Sequence, residues 1–454
     1  MRRAKIFLLL ALTVCTATFL RAATATNSLA WHNATGQVDA DVHGEALWPL
    51  LEDIAHQTGW HIFMEPGITQ ATDAKFSSLP SSEALRKLLG DLNFALVPKT
   101  NEPSQLYVFT TRMENATRPV RAAEKLVVTK QKHVANELIV KLKPGADIDA
   151  IAKSIGAKVV GRDDKLGIYR LQFPDAAATD AALAKLQSNS DVAAVEYNYI
   201  LDPPVTPQKI ANAPVGPVSL TLNPPGDSGR VIVGLVDTHL QSMGSDLDQF
   251  MLKQISITGD TPVDSTDPTH ATSMAETILR AMAAQGGSTS AQILSVDVYG
   301  NSETATTWNL LLGMQQAINA GANPINLSLG GTGESTIMRD FIEQAVGKGI
   351  IFIAAAGNQP VSTPTIPAAF PGVYAVAATQ GGQLAAYSNF GSFIAMALPG
   401  SSVVYLGNQA FLVQGTSPAT AYATGIAAGT KSATSMTWVQ ILAVMQQKFP
   451  VPTK

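Results

Sequence analysis

Cysteine is all but missing: the chain has one, Cys15, inside an N-terminal apolar run. Once that run is removed no thiol is left, which excludes a disulfide framework and cysteine-ligated zinc or iron–sulfur centres. Charge is scarce too, at 15% of residues against roughly 25% in an ordinary soluble domain, and aromatics reach only 6%. Positive charge does not dominate: 31 Lys and Arg against 35 Asp and Glu leave a net −4, which rules out a basic nucleic-acid binder. What the chain does have is apolar surface. At 46% hydrophobic residues it can bury a core and is not intrinsically disordered. Its 454 residues suggest roughly two to four domains of about 100–200 residues each.

Arg2, Arg3 and Lys5 precede the apolar run at residues 6–20, and Ala22-Ala23-Thr24-Ala25 follows it. A basic start, a short apolar stretch and a small-residue end read as a secretory signal peptide over residues 1–25. Its 15 residues fall short of the ~20 that span a bilayer, so no stable membrane span is expected after cleavage; an uncleaved anchor is the alternative. Val14 before Cys15 argues against a lipoprotein site. Losing Arg2, Arg3, Lys5 and Arg21, with no acidic residue, would take the net charge from −4 to −8. A secreted or periplasmic location is expected.

Three folded regions follow. In residues 30–112, the alternation of Val38-Asp39-Ala40-Asp41-Val42 predicts a strand and Leu47, Leu50, Leu51, Ile54 and Ala55 a helix. Residues 60–64 read as a strand, Ser81 or Ser82 as the cap of a second helix, and residues 94–97 and 106–109 as a hairpin. This order resembles the short N-terminal domain of secretins. Four histidines lie here (His32, His43, His56, His61), at spacings that suit no metal site. Residues 137–199 read as β-α-β-β-α-β, a small ferredoxin-like sandwich. A Pro-rich link at residues 200–225 is where chains join domains and where proteases cut. Residues 226–454 alternate continuously apolar strands, beginning with Val231-Ile232-Val233-Gly234-Leu235-Val236, with helical patterns. That alternation predicts an α/β domain on a parallel sheet, preceded by two small α+β domains. In such sheets the chemistry sits at the carboxyl ends of the strands.

Four residues stand at or near those ends. Asp237 follows the first strand. His270 heads His270-Ala271-Thr272-Ser273-Met274-Ala275-Glu276, Asn358 ends Ala355-Ala356-Gly357-Asn358, and Ser417 lies in Gly415-Thr416-Ser417-Pro418-Ala419. A serine hydroxyl needs an adjacent base to become a nucleophile, and this region holds only two histidines, His239 and His270. An aspartate at a buried strand end can orient the imidazole. Asn358 can donate its amide to a developing oxyanion beside the Ser417 N–H. The Gly-Thr-Ser turn places Ser417 at a positive helix N-terminus.

These segments, in the order Asp, His, Asn, Ser, resemble the subtilisin-like serine proteases, whose D-[ST]-G, H-G-T-H-V-A-G-T, A-A-G-N and G-T-S-M-A-x-P motifs occur in that order. The resemblance implies a peptidase acting on peptide or protein substrates, with Asp237, His270 and Ser417 as the triad and Asn358 as oxyanion donor. It implies that Ser328, Leu329 and Gly330 line the substrate cleft. Residues 137–199, with Val195-Glu196-Tyr197-Asn198 near their end, resemble the family's inhibitory propeptide. Its removal is expected to cut residues 197–213, at 198–201 or 208–213 rather than among the prolines at 203–207. The departures are His239 and Ala271 where the family has glycine, Ser273 for a second histidine, Glu276 for a packing glycine, Pro418 for methionine, and Ala421-Tyr422 for Pro-His. They keep open a second reading, a catalytically impaired protease-like protein that binds peptides. An α/β-hydrolase reading fails because no histidine follows Ser417. No cofactor or metal is expected; calcium is possible, but no carboxylate cluster has calcium-loop spacing.

Overall fold

Residues 27–33, 35–65, 68, 70–99, 103–116, 118–120, 131–211, 231–259, 266–285 and 291–452 are described by the computed structural model. The expected signal peptide at residues 1–25 and residues 212–225 of the Pro-rich link lie outside them. The chain divides into two units, Met1–Lys125 and Leu126–Lys454.

The first unit contains β1 (Ser28–His32), β2 (Gln37–Ala46), α1 (Leu47–Thr58), β3 (His61–Met64), β4 (Ala71–Pro80), α2 (Ser81–Leu89), β5 (Asn93–Val97), β6 (Gln105–Phe109) and β7 (Arg118–Val120). Two sheets, ordered β1-β2-β4 and β5-β6-β3-β7, enclose a core of Leu50, Leu51, Ile54, Leu85, Leu88 and their neighbours. β4 was not legible from the sequence because it is an edge strand: backbone bonds to β2 hold it, and Thr72 is its one buried residue. The cap of α2 also differs. Pro80 occupies the N-cap position without a side-chain bond, and Ser81 spends its hydroxyl on the Gly36 carbonyl. The fold runs past residue 112, since β7 pairs with β3.

The second unit opens with a four-stranded sandwich: β8 (His133–Leu142), α3 (Ile148–Ile155), β9 (Lys158–Asp163), β10 (Ile168–Gln172), α4 (Ala176–Gln187) and β11 (Val192–Tyr199). Its antiparallel order β11-β8-β10-β9 is that of a ferredoxin-like fold. The short β12 (Gln208–Lys209) follows.

The α/β layers comprise β13 (Val231–Asp237), β14 (Ile255–Ser256), α5 (His270–Ala283), β15 (Ala291–Asp297), α6 (Thr307–Asn319), β16 (Ile325–Leu327), β17 (Gly331–Thr332), α7 (Thr336–Gly347), β18 (Phe352–Ala355), β19 (Thr365–Ile366), β20 (Val373–Gln380), β21 (Gln383–Leu384), β22 (Ile394–Pro399), β23 (Ser401–Leu406), β24 (Gln409–Gln414), α8 (Thr416–Ala433) and α9 (Trp438–Lys448). The main sheet runs β14-β15-β13-β16-β18-β20-β21, with β22 also on β20. Its pairs are parallel except for β21. Val236 packs in one apolar cluster with α6 and α7, while Val233 and Leu235 pack in another with α5. Helices cover both faces, which is why β13 reads as an unbroken apolar run.

Candidate active site

Asp237 is the last residue of β13 and is 1% exposed. A buried carboxylate needs donors. Its Oδ1 accepts the Thr238 backbone N–H at 2.7 Å and lies 2.7 Å from His270 Nδ1. A carboxylate can only accept, so Nδ1 carries the ring proton and Nε2 presents its lone pair. His270 opens α5, whose N-cap Thr269 accepts the Thr272 N–H through Oγ1 at 3.2 Å. Thr238 Oγ1 accepts the Ala271 N–H at 2.9 Å, tying the end of β13 to the first turn of α5.

Ser417 is the second residue of α8, after Gly415 at φ 151°. That backbone angle favours glycine, and a Cβ there would stand 3.1 Å from Asn358 Nδ2. Asn358 Oδ1 accepts from the Thr416 N–H at 2.8 Å and from Thr416 Oγ1 at 3.1 Å. With its oxygen so engaged, the amide nitrogen is left beside Gly415 as a donor. The first N–H groups of α8 have no intrahelical acceptor and form the positive end of the helix. Further along, Gly425 lets α8 approach α5, since a Cβ there would meet the Ile278 carbonyl at 2.3 Å.

Ser417 is not paired with His270. Its hydroxyl donates to the Ser328 carbonyl at 3.1 Å, and Ser328 Oγ donates back to the Ser417 carbonyl at 3.2 Å. Among the described residues, His270 Nε2 and Asp237 Oδ2 are buried without a hydrogen-bonding partner. The structure thus joins Asp237 to His270. It gathers Ser417, Asn358, Ser328, Leu329 and Gly330 around a cleft of about 330 Å³, and leaves the serine–histidine bond unmade. The apolar run at 324–329 is a strand only as far as Leu327; Ser328 has left the sheet to line this cleft.

The unusual residues around the histidine are packed in. The His239 carbonyl accepts from Thr269 Oγ1 at 2.6 Å and its Nδ1 accepts from Gln254 Nε2 at 2.8 Å, so this histidine steadies the cap of α5. Ser273 Oγ donates to the Thr269 carbonyl at 3.0 Å. Glu276 accepts from Arg280 Nε at 2.9 Å and from the Tyr405 backbone N–H at 2.7 Å, and burial raises its carboxyl above the usual range. It braces the histidine helix against β23. Glu276→Ala, which strips Arg280 and the Tyr405 N–H of their acceptor, is expected to cost about 2–4 kcal/mol. Calorimetry checks this, and an unchanged Tm would remove the brace.

A segment ahead of the α/β layers reaches the cleft, as expected from the resemblance of residues 137–199 to a propeptide whose C-terminal end enters it. The start of the Pro-rich link is seated there: Leu201 N donates to Ala305 O and Asp202 N to Gly330 O, each at 2.9 Å. Asp202, Pro203, Pro204 and Val205 line the cleft, and β12 pairs with β24. The propeptide resemblance and the extended Pro-rich sequence that follows it were the available signals.

The sandwich reaches the α/β layers through alternate residues of β11. Glu196 accepts from Ser335 Oγ and from the Ile337 N–H at the start of α7. Asn198 Oδ1 accepts the Trp308 N–H at 3.1 Å at the start of α6, and its amide donates to Glu137 at 2.7 Å. Two helix N-termini are thus capped from outside their own chain segment. Burial pushes the Glu196 carboxyl up to about 7, against the lowering pull of its donors. When undocked, it titrates in the ordinary carboxyl range, about 4.3. Docking therefore takes up a proton between these values: the contact is strongest at low pH and weakens by up to about tenfold per unit as pH rises toward 7. Protection of the Ile337 amide, measured against its intrinsic base-catalysed exchange rate, should fall over that window, and Glu196→Gln should flatten that protection profile. The same pH slope in the variant would remove Glu196 from the linkage.

Known proteins match this arrangement. The Subtilase family profile matches residues 228–450 and the Fervidolysin N-terminal prodomain profile residues 119–198. A thermophilic serine proteinase of Bacillus sp. strain AK1 is 28% identical over 313 residues, 65% of this chain and 78% of that protein. Thermitase of Thermoactinomyces vulgaris is 35% identical over 145 residues, 31% of this chain and 52% of its own length. The chain thus spans most of the first relative and about half of the second. The crystal structure of fervidolysin from Fervidobacterium pennivorans shares the fold, with a TM-score of 0.55 at 20% identity over 69% of this chain and 57% of that one. The matches assign a subtilase domain of the serine peptidases to residues 228–450 and a fervidolysin-type prodomain region to residues 119–198 ahead of it.

Proposed function

We propose that this subtilase is an exported endopeptidase that works through Asp237, His270 and Ser417, with Asn358 as oxyanion donor. One observation carries the reading: Asp237 and His270 form a buried pair 2.7 Å apart, and His270 heads a helix packed along the one whose second residue is Ser417. A polypeptide substrate lies against Ser328, Leu329 and Gly330. The Ser417 hydroxyl rotates from the Ser328 carbonyl to His270 Nε2, a side-chain motion that is fast on the scale of turnover. Oγ then attacks the substrate carbonyl carbon while Nε2 takes its proton, and Asp237 stabilises the imidazolium. Asn358 Nδ2 and the Ser417 N–H hold the oxyanion. His270 passes the proton to the leaving amine, the C–N bond breaks, and water hydrolyses the serine ester by the reverse relay. This chemistry calls on no cofactor, and we place no calcium in it.

Export is inferred from the basic start and the 15-residue apolar run; no described helix is long and apolar enough to cross a membrane. The prodomain region is the chain's own inhibitor, lifted off by a cut that separates it from the subtilase domain. A fluorophosphonate probe, which esterifies an activated serine, tests the proposal. It should label the protein nicked within residues 200–211 by an added protease, and Ser417→Ala should not be labelled. No labelling of the nicked wild type would favour the second reading, a peptide-binding protein with impaired catalysis, which rests on the Ser417 hydroxyl being held by Ser328.

A further inference from the structure

Residues 201–210 cross the cleft in two registers. Asp202 N donates to Gly330 O at 2.9 Å, and a Cβ on Gly331 would stand 3.6 Å from the Leu201 Cα. One step back on the first segment is one step forward on the second, so the two run antiparallel. Bonded positions in an antiparallel pair recur every two residues, which sets Pro204 opposite Ser328. Beyond Pro204 the partner changes. Gln208 pairs with Leu412 and Lys209 with Phe411, and Val205 Cγ1 lies 3.4 Å from a Cβ placed on Gly415. Counted back, the second register sets Val205 opposite Gly415. The changeover therefore falls at the Pro204-Val205 peptide bond, in the cleft that Ser417 and Asn358 also line.

An N–H at residue 204 would be donated to the Ser328 carbonyl, as that of Asp202 is to Gly330. Proline has none. The Ser328 carbonyl accepts the Ser417 hydroxyl instead, and His270 Nε2 has no partner among the described residues. We infer that residues 201–210 are a built-in substrate mimic which presents the Pro204-Val205 bond to Ser417, and that Pro204 keeps this bond uncut by leaving the Ser328 carbonyl to capture the nucleophile's hydroxyl. The inference rests on the proteolytic reading above. It makes the latent chain stable to its own active site and leaves the activating cut to another bond or another molecule.

A residue with an N–H at 204 competes with the Ser417 hydroxyl for the Ser328 carbonyl and shifts that hydroxyl toward His270. Ser417 Oγ then bonds to the carbonyl carbon of residue 204. Its proton passes to His270 Nε2 and on to the Val205 nitrogen as the C–N bond breaks, and water hydrolyses the ester. The test uses the full chain as wild type and as Pro204→Ala, Pro204→Leu and Pro204→Phe, so that the side-chain preference at this position does not decide the outcome. Each is also made with Ser417→Ala, and all are followed by intact mass and N-terminal sequencing. At least one substitution should produce a fragment beginning at Val205 at least about tenfold faster than wild type, the scale of one hydrogen bond gained in the reacting geometry. Ser417→Ala should abolish that fragment. Equal rates in wild type and all three variants, or a Val205 end that persists with Ser417→Ala, would overturn the inference. A fluorophosphonate probe separates the two failures. Labelling of Ser417 without a Val205 end sinks the substrate mimic alone, whereas no labelling of any Pro204 variant even after nicking within residues 200–211 by an added protease sinks the proteolytic reading and the mimic with it.

Discussion

Ser417→Ala is expected to lower turnover of a chromogenic peptide by about 10⁶-fold, the scale on which a subtilisin suffers when its nucleophile is lost. His270→Ala should cost about as much and Asp237→Ala about 10⁴-fold, because the aspartate orients the base without touching the substrate. Combining the substitutions should add little, since a relay missing one member is already broken. The structure sharpens the expectation for Asp237. Its Oδ1 serves both His270 Nδ1 and the Thr238 N–H, so Asp237→Asn keeps a group of the same shape while losing the acceptor-only character that fixes the tautomer. Turnover at the wild-type level in any of these variants, measured on protein nicked within residues 200–211, would remove that residue from the mechanism.

Asn358→Ala carries the second large effect, a fall in kcat of about 10²–10³ with little change in KM, as found for the equivalent donor in a subtilisin. The bond to the oxyanion forms mainly in the transition state, so ground-state binding is spared. Here Asn358 has a second task, holding the Thr416 N–H and hydroxyl through Oδ1. Asn358→Asp separates the two, because it retains the acceptor and lacks the donor. Its kcat should fall at least as far as that of the alanine variant while its Tm stays closer to wild type. A change confined to KM in both variants would mean that the amide does not face the reacting carbonyl.

What could be read in advance was what depends on neighbours in the chain. The apolar run of β13 announces a strand covered on both faces, and its end announces Asp237. The Gly415-Thr416-Ser417 turn marks the start of the helix that carries Ser417. What escaped depends on partners far apart in sequence. The Ser417 hydroxyl is turned by a carbonyl 89 positions away. Glu276 looks like an intrusion in its helix until Tyr405, 129 positions on, supplies its donor. The prolines at 203 and 204 mark an extended segment but carry no sign of its register against Gly330.

The pairing of β12 with β24 has a consequence if a cut beyond Lys209 releases the residues ahead of the subtilase domain. β24 lies between β12 and β23, so departure of β12 turns an interior strand into a boundary. Its outward N–H and C=O groups, at Ala410 and Leu412 among others, then face solvent along a six-residue stretch that leads straight into the turn before Ser417. Open strand boundaries attract extended chains, and proteins usually blunt them with charge or proline. Gln409-Ala410-Phe411-Leu412-Val413-Gln414 has neither. The freed subtilase domain would carry an adhesive seam beside its nucleophile, and its solubility would depend on how quickly that seam finds a polypeptide to hold.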